Sequence, residues 1–183
     1  GNVDTFIPAP SQILIGLPRQ EKGVRPARAL PYELIVNGHV NAAASTFGLD
    51  FINTGKAGAV FQVRSGNAAD NVRAYTVEHG KQLSGSWKFA SKYDLSVYGP
   101  NGFARYYKGS VGHFAGILDV RTRYDKEGHG SIGLRITNVG ATKATVVVHD
   151  AYTGDHSLRM LMPGQSFESD QRCDRFHGWY DLV

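Results

Sequence analysis

From Pro31 onward the chain is made of short runs in which every second residue is apolar. Leu49, Phe51 and Asn53 fall on one side of one run, and Ala59, Phe61 and Val63 on one side of the next. Alternation with period two sends successive side chains to opposite faces, so each run reads as a β-strand with one buried face. Strands are expected over residues 32–37, stopped by Gly38, and over 49–53, 59–63, 73–78, 82–88, 93–98 and 103–108. Gly99-Pro100-Asn101-Gly102 is the strongest turn signal: proline presets the first turn residue, and glycine accepts the left-handed conformation of a hairpin bulge. A second series is expected over 117–124, 132–138, 144–149, 158–162, 166–169 and 179–183. Nowhere do about ten consecutive residues hold helical periodicity between a cap and a stop. The fold class is all-β, with about six or seven short strands in each half, the content of a small antiparallel β-sandwich of the immunoglobulin-like kind.

The two series are copies of one another. Leu49-Asp-Phe51-Ile-Asn53-Thr-Gly55 returns as Leu134-Arg-Ile136-Thr-Asn138-Val-Gly140. Tyr75-Thr-Val77-Glu-His-Gly80 matches Leu158-Arg-Met160-Leu-Met-Pro-Gly164, and each copy then reaches Tyr-Asp-Leu, at residues 93–95 and 180–182. The copies lie about 85 residues apart, the length of a small domain and well beyond the roughly 20–50 residues of a solenoid unit. Two tandem sandwich domains are expected, over residues 31–112 and 113–183. The second ends on Leu182-Val183 where the first runs on into its hairpin, so its last hairpin is expected to be lost or supplied otherwise. Residues 1–30 differ: Pro8, Pro10, Pro18 and Pro26 are more than half of the chain's seven prolines. Proline cannot donate to a sheet ladder and biases its predecessor toward extended geometry, so this segment reads as a connector.

Composition acts mainly by exclusion. A hydrophobic content of 42% suits a folded protein. The net charge of +4 is spread along the chain, whereas a nucleic-acid partner calls for a concentrated basic stripe. No run nears the roughly 18 apolar residues of a membrane-spanning helix. Cys173 is the single cysteine, which excludes an intrachain disulfide and a thiol pair for zinc. A start at Gly1 instead of Met is expected of an excised fragment.

Of the seven histidines, none stands in an HExxH pattern or another tight ligand spacing. His149-Asp150 and Asp155-His156 flank a turn and offer one alternative, a shallow metal or acid/base site. The plainer reading of those four is solvated turn chemistry. There is no Gly-x-Ser-x-Gly elbow and no glycine-rich phosphate loop, and His177 four residues after Cys173 is weak evidence for a thiol nucleophile. No cofactor and no metal are expected. Aromatic residues remain: Trp87 reads as a filler between sheets, while Tyr106 and Tyr107 are adjacent, so one of them must point outward from its strand. With Arg105 and Lys108 beside them, these five are the candidates for contact with a membrane interface or a quaternary ammonium group.

Arg25-Pro-Ala-Arg28, Tyr75-Thr76-Val77-Glu78, Gly85-Ser86-Trp87 and Tyr93-Asp94-Leu95-Ser-Val97-Tyr98-Gly99-Pro100-Asn101-Gly102-Phe103 together resemble the C-terminal region of the bacterial phosphocholine-preferring phospholipases C. The likeness covers nearly the whole chain, and the second copy is the more diverged. In that family a large N-terminal phosphoesterase domain precedes two small C-terminal domains, and hydrolysis of phosphatidylcholine or sphingomyelin to phosphocholine belongs to the N-terminal part. The resemblance therefore implies a non-catalytic accessory region of a secreted bacterial enzyme. It implies two candidate partners, the N-terminal domain of the same polypeptide and choline-containing lipids. Two roles follow: assistance in engaging the lipid surface, or a structural scaffold packed on the catalytic domain.

Overall fold

The computed structural model describes residues 30–110, 117–125 and 130–183. The expected connector, apart from Leu30, and the expected division at 112–113 lie outside these residues, as do His113 and His129. The first copy supplies β1 (Leu34–Asn41), β2 (Thr46–Asn53), β3 (Ala59–Ser65), β4 (Arg73–Val77), β5 (Lys81–Lys88), β6 (Lys92–Tyr98) and β7 (Ala104–Ser110). The second supplies β8 (Leu118–Tyr124), β9 (Ser131–Asn138), β10 (Ala144–His149), β11 (His156–Leu161) and β12 (Ser166–Arg172). Antiparallel strands packed in layers bear out the all-β sandwich reading.

One sheet runs through both copies. Its order is β12-β9-β8-β1-β2-β5, and the halves join where β1 meets its own counterpart β8, antiparallel, with Gly38 opposite Val120. Two smaller sheets, β4-β3-β6-β7 and β10-β11, complete the sandwich. Leu34, Val36, Phe47, Leu49 and Phe51 meet Phe61, Val63, Val77, Leu95 and Val97 in the first core. Leu134 and Ile136 meet Val146, Val148 and Leu161 in the second, with Leu118 and Val120 packed against it. Burying such side chains supplies the main driving force for layering.

The repeat extends to individual hydrogen bonds. Asn53 and Asn138 are both fully buried. Asn53 Nδ2 donates to the carbonyls of Ala57 (2.8 Å) and Val77 (3.0 Å), and its Oδ1 accepts from Gly55 N at 3.1 Å. Asn138 repeats this on Thr142 (2.8 Å), Leu161 (2.9 Å) and Gly140 (3.0 Å). Gly80 and Gly164, at φ 67° and 80°, donate to the Asn53 and Asn138 carbonyls at 2.8 Å in each copy. A left-handed turn followed by a returning strand is thus fixed twice by one amide side chain.

Three expectations need correction. Gly38 does not end β1, which continues to Asn41; a Cβ there would lie 2.6 Å from the Tyr107 ring and 2.7 Å from that of Phe47, so glycine makes room for aromatics within a strand. Residues 179–183 form no full strand; Leu182 makes a single bridge to Asp150. The copies also align differently around β4 and β11: Ala59 faces Val77 as Ala144 faces Leu161, so Leu161, not Met160, is the counterpart of Val77. Gly80 and Gly164 follow Val77 and Leu161 by three positions each, so the copies differ by one residue in the loop joining the paired strands, and a one-residue shift moves every strand side chain to the other face.

Candidate functional site: the outer face of the β6–β7 hairpin

The hairpin turn uses its residues as their chemistry dictates: Asn101 and Gly102 take φ 58° and 75°, and Gly99 N donates to the Phe103 carbonyl at 2.9 Å. Beyond it, β7 alternates. Arg105 and Tyr107 point inward, Tyr106 and Lys108 outward. Tyr107 fills the space left by Gly38, meets the Phe47 ring at a tilt with centres 5.4 Å apart and donates its hydroxyl proton to the Val36 carbonyl at 2.8 Å. Burial pushes this phenol well above its ordinary pKa.

Arg105 sits between the copies. Its guanidinium donates to Tyr180 Oη at 2.6 Å, to Tyr124 Oη at 3.2 Å and to the Ala104 carbonyl at 2.8 Å. It also lies 4.5 Å from the Phe103 ring centre and 5.1 Å from that of Tyr180. Tyr124 spends its one proton on the Leu34 carbonyl at 2.9 Å, so the 2.9 Å contact between the two phenols is donated by Tyr180. Phenol oxygens and ring faces thus hold a largely buried cation. Burial raises the Tyr124 pKa as well, so both groups stay protonated.

With its inner residues pinned, the strand offers its outer ones on a rigid support. Tyr106 is 67% exposed and Tyr98 38%; their rings meet edge to face, 6.0 Å apart at 82°. The hydrogen bond to Tyr98 lifts the Tyr106 phenol above its usual range. Arg64 lies over the Tyr98 ring at 5.8 Å, and Lys108 pairs with Asp94 at 2.8 Å across the strands. Ring faces attract cations, and tyrosine suits a boundary where one end is apolar and the other wet. Trp87 is elsewhere: only 3% exposed, it packs inside with Arg73 4.7 Å from its ring and Tyr75 against its edge. Of the five residues singled out from sequence, Tyr106 and Lys108 share this outer face, Arg105 and Tyr107 support the interior behind it, and Trp87 fills the core near β4.

The remaining polar candidates are arranged for structure. His149 stands opposite His156 on neighbouring strands, and the Asp150 carboxylate is occupied by the backbone N–H groups of Tyr152 and Thr153, at 2.9 and 3.4 Å. Among the described residues, no group of three or more His, Cys, Asp or Glu side chains is placed to hold a metal ion. Cys173 is buried, its thiol pKa raised by that burial, which disfavours a nucleophilic thiolate. Sequence reasoning passed over one cluster on the outer face of the large sheet, where His39 Nδ1 lies 3.7 Å from Asp50 Oδ2. Ser84 there donates to Asp50 Oδ1 at 2.7 Å, so the serine proton faces the carboxylate and not the imidazole, the wrong order for an activated nucleophile.

Comparison with known proteins adds identity to this geometry. Residues 26–110 match the family described as bacterial phospholipase C, C-terminal domain. The chain is similar to the non-hemolytic phospholipase C of Burkholderia pseudomallei, 42% identical over 97% of this chain and 26% of that protein. It is also similar to the non-hemolytic phospholipase C of Pseudomonas aeruginosa, 35% identical over 91% of this chain and 25% of the relative. The hemolytic phospholipase C of the same organism is 32% identical over 91% of this chain and 26% of its own length. The chain therefore spans about a quarter of the length of these relatives.

Proposed function

Because this chain belongs to the C-terminal region of the bacterial phospholipase C family, we propose that it is a non-catalytic accessory part of an exported phospholipase C and helps to hold the enzyme on its lipid surface. The catalytic work falls to the remainder of the polypeptide. The observation that carries this reading is the Tyr98–Tyr106 pair, turned outward on a hairpin whose inner side is fastened by Tyr107 and Arg105. Such rings sit favourably among lipid headgroups, where their faces meet quaternary ammonium groups and their hydroxyls stay wet. The supporting residues hold that platform without entering the lipid.

Co-sedimentation with phosphatidylcholine vesicles tests the reading. The unaltered chain is expected to pellet with them, and Y98A/Y106A to bind about tenfold more weakly, from two ring contacts of roughly 0.5–1 kcal/mol each. Both altered side chains are outward, so the urea midpoint should barely move. A chain that pellets with no vesicle would overturn the proposal in favour of a scaffold packed on the catalytic region.

A further inference from the structure

The corrected alignment of the copies uncovers a second surface. On the outer face of β3–β4 the first copy carries one isolated exposed aliphatic, Val60, with Gln62, Ala74 and Thr76 and with Glu78 in the following turn. At the matching positions the second copy carries Val147, Leu158, Met160 and Met162. These four are 49%, 57%, 59% and 53% exposed. Leu158 stands directly across from Val147, and Met160 from Thr145, so the apolar groups form one continuous patch. Soluble surfaces carry scattered apolar residues, but a contiguous group on one face marks an interaction site. Its own copy next door shows that the fold does not require it.

The geometry points to a lipid surface as the occupant; this rests on the lipid-engagement reading above and adds a second contact to it. Gly38 and Val120 are opposed on one face of the six-stranded sheet, and that face carries both cores. Both smaller sheets therefore cover the same side of the large sheet. Tyr98 and Tyr106 on one and the Val147–Met162 patch on the other thus lie on the same side of the six-stranded sheet, the side a lipid surface would meet. Charge agrees: the outward positions of β10 and β11 are Thr145, Val147, His149, His156, Leu158 and Met160, without a carboxylate. Lys143 stands exposed before the first residue of β10 and borders one end of the patch with an ammonium group where lipid phosphates would lie. Asp150 and Asp155 are confined to the turn at the other end, beyond His149 and His156. The outward positions of this patch carry aliphatics and methionines, apolar groups that gain by burial in an acyl layer, and none of the aromatic or arginine anchors that dominate protein-docking sites.

The test compares L158E/M160E with A74E/T76E, the same charge change at the matching positions of the first copy, on phosphatidylcholine–sphingomyelin vesicles. L158E/M160E is expected to weaken binding by more than about tenfold, since it removes two apolar side chains from the contact, and A74E/T76E by much less. A tryptophan introduced as L158W should be quenched by brominated phosphatidylcholine. Equal losses in the two glutamate variants, or undiminished binding of L158E/M160E with an unquenched L158W, overturn the inference while leaving the Tyr98–Tyr106 contact standing. Absence of vesicle binding by the unaltered chain removes both readings at once.

Discussion

Replacing Asn53 with alanine is expected to cost about 3–5 kcal/mol of folding stability, because it leaves buried backbone groups without partners. The amide is fully buried and satisfies the carbonyls of Ala57 and Val77 together with the Gly55 N–H. The Val77 carbonyl and the Gly55 N–H are buried with it, so water is a poor replacement there. Asn138→Ala should cost a comparable amount, since its three bonds repeat those of Asn53. Asn53→Asp separates shape from chemistry: it keeps the acceptor for Gly55 but turns an anionic oxygen toward two carbonyls. Its carboxyl pKa should therefore rise in the folded state, so the deficit grows as pH rises above about 4 and shrinks below it. Urea denaturation at two pH values reads all three outcomes. An Asn53→Ala midpoint close to that of the parent would mean that the amide network is incidental.

Gly38→Ala is expected to destabilise by about 2–3 kcal/mol, an overpacking cost, although alanine normally favours strand over glycine. The added methyl would meet the Tyr107 ring at 2.6 Å and the Phe47 ring at 2.7 Å. Neither ring has an easy retreat: Tyr107 is tethered through its hydroxyl to the Val36 carbonyl, and Phe47 stacks on Tyr93 at 4.4 Å. Gly58→Ala is the matched control, as its Cβ meets nothing closer than 3.8 Å, and it should stay within about 0.5 kcal/mol of the parent. Thermal unfolding of the pair distinguishes a packing role for Gly38 from a general cost of adding a methyl group at a glycine position.

These two positions show what the sequence reveals and where it falls short. Alternation located the strands because burial on one face imposes period two, and Asn53-Thr-Gly55 with Asn138-Val-Gly140 exposed the repeat because the turn admits few solutions. Gly38 read as a stop because the ring that occupies its missing side chain comes from Tyr107, distant in sequence. The seam between β1 and β8 was illegible for the same reason: backbone pairing at a sheet edge leaves no residue pattern. Adjacency of Tyr106 and Tyr107 did announce one outward ring. Arg105 misled because arginine is ordinarily exposed, and its phenol partners Tyr124 and Tyr180 come from the other copy. The apolar face of β10–β11 was hidden by a single residue, the one by which the loop between β10 and β11 is shorter than that between β3 and β4, which exchanged inside for outside in the alignment.

One side of this sandwich, bearing Tyr106 and Leu158, is expected to rest on lipid while the other faces water. The most direct measurement places a nitroxide label at Y106C, L158C or S84C, the last on the outer face of the six-stranded sheet, with buried Cys173 left unlabelled. Collision rates with oxygen and with a water-soluble nickel complex are then compared with and without phosphatidylcholine vesicles. The labels at 106 and 158 should lose contact with nickel and gain contact with oxygen, and the label at 84 should not change. Shielding at 84, or three labels that stay equally wet on bound protein, would contradict the account.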